Sequence, residues 1–155
     1  MQTLDTLEPF VRTVIFDVIR LVNRAAHDPE QAQQALSAAR DALAIPTEPS
    51  EADATSSLSL LRLDLATLNP RDRALAFAAA VWMTLTDGIR VREETEVLEA
   101  LRHELKLEPG QARHLAQLAR WIRTKPEPAP LSHELERLVE ETLVRERAMR
   151  GREAA

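Results

Sequence analysis

The chain has 155 residues, of which 45% are hydrophobic and 29% charged, the balance of a globular domain large enough to bury its own core. It contains no cysteine, which excludes disulfides, thiolate nucleophiles and Cys-held zinc or iron–sulfur clusters. Three glycines are too few for a dinucleotide fingerprint or a phosphate-binding loop, and a net charge of −5 argues against a chain built to coat nucleic acid.

Helical periodicity begins at the N-terminus. Between Leu4 and Ala26 the residues Leu7, Phe10, Val11, Val14, Ile15, Val18, Ile19, Val22 and Ala25 keep the spacing of one helix face. Asp17 lies at the edge of that stripe, one turn from Arg20, and reads as its ion-pair partner. Asp28, Pro29 and Gln31 supply an N-cap, a proline at the first helical position and the closing residue of a capping box. The helix they open presents Ala32, Ala35, Leu36, Ala39 and Leu43 and ends before Pro46. Residues 46–56, PTEPSEADATS, are polar, acidic and proline-punctuated, hence a loop.

A short Leu-rich helix is expected over 57–68. Asn69-Pro70 then repeats the cap-and-proline start for a helix reaching Thr86. This segment, with Ala74, Leu75, Phe77, Ala78, Val81, Trp82 and Leu85, is the most apolar of the chain, and its alanines permit close helix–helix approach. Its apolar run from Ala74 to Met83 is far short of the ~20 residues that cross a bilayer. Asp87-Gly88 is the stop, glycine serving the left-handed turn. The next helix, about 92–106, turns Leu98, Leu101 and Leu105 inward. Glu108-Pro109-Gly110 opens another, with Leu115, Leu118, Ala119 and Ile122 on its buried side. Trp82 and Trp121 are both expected to fill space between helices. TKPEPAP at 124–130 is an extended spacer. A last amphipathic helix follows from Leu131 to about Met149, bearing Leu135, Leu138, Val139 and Thr142, with a frayed tail beyond.

Catalytic fragments fail on spacing. His103-Glu104 and His133-Glu134 each begin a HExxH zinc motif, but Leu107 and Arg137 stand where the second histidine is required. Glu99 and His103 share one helix face and read as a surface pair. No nucleophile elbow is present. An EF-hand is excluded at 83–94, because Met83 and Leu85 occupy ligand positions of a cation that needs six to eight oxygens.

The segment from Ala78-Ala79-Ala80 through Asp87, Gly88 and Glu94 to Leu98, Leu101, Leu105 and Leu107 resembles the TerB-like (tellurite-resistance) helical family. The likeness is tightest over 84–107 and extends over about 70–122. It implies an all-helical, non-enzymatic protein of stress responses, associated with membranes in some settings. It also implies a divalent metal ion held by acidic residues, here Asp87 and Glu94. Three features depart from the pattern: Val91 where an N-cap would stand, Lys106 in place of glycine, and Ala25-Ala26 where a second Asp-Gly turn would fall. Leu36, Leu43 and Ile45 echo Leu98, Leu105 and Leu107 at an offset of 62 residues.

The expected fold is all-α, an irregular bundle of about seven helices without strands. Residues 1–123 would form the bundle, 124–130 the spacer, and 131–155 a helix and tail separable from the rest. The expected function is a cytoplasmic TerB-like stress-response or adaptor protein with a metal at Asp87 and Glu94. Its partner would be a protein or a second copy. No nucleic acid and no membrane-spanning segment are expected, and the composition leaves room for peripheral membrane association. The alternative is a helical protein-interaction module, homodimeric, with no metal site.

Overall fold

A computed structural model describes residues 7–24, 29–45, 58–86, 92–124 and 130–154. Among the described residues there are seven helices and no strand: α1 (Pro9–Asn23), α2 (Pro29–Ala42), α3 (Leu58–Thr67), α4 (Pro70–Leu85), α5 (Arg92–Glu104), α6 (Pro109–Arg123) and α7 (Leu131–Ala154). The expected all-α bundle is the observed one.

Local chemistry accounts for where the helices start. Four of them begin on proline, whose fixed φ suits the first helical position and whose missing N–H costs nothing there. At α4 the Asn69 side chain accepts the Asp72 backbone N–H at 2.8 Å, the N-cap bond expected from Asn69-Pro70. The proposed Asp28 cap, the 46–56 loop, the Asp87-Gly88 stop and most of the 124–130 spacer lie outside the described residues.

Packing centres on α4. It lies against α1, α2, α5, α6 and α7, and every residue from Ala74 to Thr84 is buried. Its alanines make this possible: small side chains let several helices approach one axis. Leu85, expected inside, is only half-buried. On α1 the residues Val11, Val14, Ile15, Val18, Ile19 and Val22 are buried as the spacing predicts. Phe10, read as part of that stripe, is 46% exposed. At 100° per residue it lies about 120° round from the stripe's centre, too far to reach the core. Asp17 does pair with Arg20, at 3.3 Å.

The C-terminal helix is longer than expected. It runs to Ala154 instead of fraying near Met149. It packs against α2, α4 and α6, with Leu135, Leu138, Val139 and Thr142 buried. Its apolar face is a wall of the core.

The offset noticed in the sequence is a structural repeat. Helix α2 ends with Ala44 at φ 55° and α5 with Lys106 at φ 56°. In the first turn the Ile45 N–H donates to the Arg40 carbonyl at 3.0 Å and the Ala44 N–H to the Asp41 carbonyl at 3.2 Å. In the second, the Leu107 N–H donates to Arg102 and the Lys106 N–H to His103, both at 3.1 Å. This is the Schellman geometry, completed by an apolar residue just after the left-handed one. The packing follows the same relation. If α1, α2 and α3 correspond to α4, α5 and α6, the contacts α1–α2, α1–α3 and α2–α4 match α4–α5, α4–α6 and α5–α1. One pair is different. Where α3 rests directly on α5, with Arg62 pairing Glu104 at 3.1 Å, the equivalent position is occupied by α7, which lies against both α2 and α6.

Lys106 holds a left-handed conformation that costs an L-residue roughly 1–2 kcal/mol, and its side chain is exposed. Lys106→Gly is therefore expected to stabilise the fold by about 1 kcal/mol, net of glycine's larger chain entropy. The check is urea unfolding, in which the midpoint should rise with an unchanged slope. A lowered midpoint would mean that the lysine's own contacts outweigh the backbone strain.

Candidate functional site

Glu94 occupies the first turn of α5. It stands four, seven and eleven residues before Leu98, Leu101 and Leu105, and so on the apolar face of its helix. The carboxylate is carried inward accordingly, with the residue only 1% exposed and engaged by its surroundings. A negative charge there is favoured by the N-terminal end of the helix dipole. Asp87, its expected partner across the turn, lies outside the described residues. Among the described residues no three His, Asp or Glu side chains converge as a metal-binding group.

Glu99 and His103 do share a face, at 3.6 Å, but Arg102 commands the carboxylate. Its Nη2 and Nε donate to Glu99 Oε1 at 2.6 and 3.1 Å, and its Nη1 donates to the Leu107 carbonyl at 3.0 Å. The hydrogen bond from Arg102 holds the Glu99 carboxyl below its ordinary pKa. This trio braces the end of α5 against its Schellman turn. The surface-pair reading of Glu99 and His103 stands, with Arg102 added.

A second polar centre, at the junction of α4, α6 and α7, was not anticipated. Glu134 is buried in the first turn of α7. Arg123 Nη1 donates to both of its oxygens at 2.9 Å, and the indole N–H of fully buried Trp82 donates to Oε1 at 3.3 Å. Arg123 Nη2 reaches the Thr86 carbonyl at 3.4 Å, at the end of α4. One carboxylate thus ties three helices together. Both of its oxygens accept hydrogen bonds from these donors. A signal for it existed: Glu134 stands four residues before Leu138 and eight before Thr142, on the stripe that faces inward.

Trp121 overturns an expectation. Instead of filling the core it is 48% exposed, with the Arg137 guanidinium 5.4 Å from the ring centroid. The buried stripe of α6 is Ala112, Leu115, Leu118, Ala119 and Ile122. Trp121 lies more than about 100° round from its centre. An open cleft of about 600 Å³ lies along His133, Glu136, Arg137, Glu140 and Glu141 on α7. Those positions are the side of the helix opposite Leu135, Leu138 and Val139.

No described helix is long and apolar enough to cross a membrane. No protein-family model, no curated protein and no solved structure matches this chain.

Proposed function

We propose that the chain is a non-enzymatic helical adaptor of the TerB-like kind, acting in a stress response, with a divalent cation held at the 87–94 turn by Asp87 and Glu94. Glu94 carries the reading. It is a deeply buried carboxylate already engaged by its surroundings, and carboxylate oxygens are the ligands that a hard divalent cation takes. The location of Glu94 at the start of α5 falls within the segment on which the family likeness rests. A second reading, a protein-interaction module without metal, is favoured by the half-exposed Trp121 under Arg137, since exposed aromatic and Arg side chains are the anchors of protein interfaces.

Calorimetric titration with calcium, magnesium and zinc separates the two. The cation reading expects heat of binding from one of them, abolished in the Asp87→Asn, Glu94→Gln double variant. Equal traces for the two proteins would remove the cation and leave the interaction module.

A further inference from the structure

We propose that the arginines gathered around Phe16, where α1 meets α2, form a binding site for an oxyanion of the phosphate kind. The proposal goes beyond the reading above and does not depend on it.

Charge distribution is the first ground. Residues 1–55 carry nine acids against four bases, Arg12, Arg20, Arg24 and Arg40. Three of those four gather at one side chain. Arg12 stands four residues before Phe16 on α1 and Arg20 four after, so the three share one strip of the helix. Arg40 comes to the same place from α2. Its guanidinium carbon lies 5.4 Å from the Phe16 ring centroid, and that of Arg20 lies at 6.0 Å. Like charges so placed repel, and an anion among them turns repulsion into attraction.

The second ground is what two of these groups do not touch. Asp17 takes Arg20, at 3.3 Å. Arg12 and Arg40 are half-buried with their Nε atoms sealed from solvent, and among the described residues neither guanidinium meets a carboxylate or another acceptor. Other arginines with a sealed Nε are engaged elsewhere. Arg73 Nη2 donates to the Ala66 carbonyl at 3.3 Å, and Arg123 Nη1 donates to Glu134 at 2.9 Å. In Arg12 and Arg40 the stem is packed and the terminal nitrogens are uncommitted, which is the preorganised state of a binding group.

The third ground is the match of chemistry. A guanidinium seated over a ring uses its face and keeps its N–H edge for an acceptor. That edge is the fork that pairs with phosphate oxygens. A phosphate carries a charge near −2 and oxygens enough to bridge two forks, whereas a single carboxylate carries one charge and two oxygens.

The probe is inorganic phosphate, titrated with the full-length protein and followed by its phosphorus NMR line, with chloride holding the ionic strength constant. The expected result is saturable binding at one site per chain. The Arg12→Met, Arg40→Met double variant should bind about tenfold more weakly or worse, the worth of one hydrogen bond to a charged group. It should also melt no lower than the parent, because it removes two cations without partners. An Arg113→Met, Arg120→Met chain loses the same charge from the exposed face of α6 and should bind as the parent does. Absence of saturable binding, or equal binding by the parent and the Arg12, Arg40 variant, overturns the proposal. Should that variant melt far below the parent, an Arg12→Lys, Arg40→Lys chain decides, since it keeps both charges and loses the forks. Weakened binding then upholds the site, and undiminished binding overturns it. Sedimentation with phosphatidylcholine vesicles containing phosphatidic acid separates two sources of the same group: retention marks a lipid headgroup, and binding of free phosphate without retention marks a soluble ligand. None of these arginines belongs to the 87–94 turn, so the cation titration and the phosphate titration fail separately.

Discussion

Trp82→Ala is expected to destabilise the protein by about 3–5 kcal/mol, among the largest losses any single substitution can produce. The indole is fully buried in α4, the helix that packs against five of the others, so no neighbour can relax far into the void. The substitution also deprives Glu134 of a donor. Trp82→Phe separates the two contributions: it retains most of the ring volume and loses the N–H, and should cost about 1.5–3 kcal/mol, the worth of a hydrogen bond to a charged group. Urea unfolding followed by far-ultraviolet circular dichroism measures both. A loss below about 1 kcal/mol for the alanine variant would place the indole outside the packed centre.

Glu134→Ala is the second large effect. It strands the Arg123 guanidinium and the Trp82 N–H together, and breaking a buried pair on one side costs about 3–5 kcal/mol. The Arg123 side chain keeps 24% exposure, so water reaches part of it and the low end of that range applies. Replacing both partners with apolar residues of similar size, Arg123→Met with Glu134→Leu, should recover most of the loss, because no charge is then stranded. Comparing the two variants by urea unfolding checks the account. If the double variant is no better than Glu134→Ala, the ion pair itself, and not the stranded charge, sets the cost.

Helix starts were legible because their chemistry is local. Asn69-Pro70 needs no knowledge of the rest of the molecule to cap α4, and Glu94 could be placed on an inward face from its spacing to Leu98, Leu101 and Leu105. The docking of α7 was not legible. An apolar stripe says that a helix needs a partner and carries no address for it. Glu134 was passed over for the same reason, since only the fold brings Arg123 and Trp82, eleven and fifty-two residues away, to one carboxylate. Trp121 misled because residue type was allowed to outweigh angle: aromatic rings favour burial, but position on the helix decides. The metal half of the site was named from resemblance, and Glu94 is the part of it that the described residues contain.

The burial of α4 on every side has a consequence for how the molecule comes apart. Ala78, Ala79 and Ala80 follow one another around the helix at about 100° steps, and all three are out of solvent. Peeling away any neighbouring helix therefore exposes a stretch of α4 that has almost no polar surface of its own to offer water. Partial opening is penalised wherever it begins, since each route uncovers the same axis. Alanine residues contribute little buried area singly, yet here they make the domain open as one unit, with the amides at the centre of α4 released only in the global event.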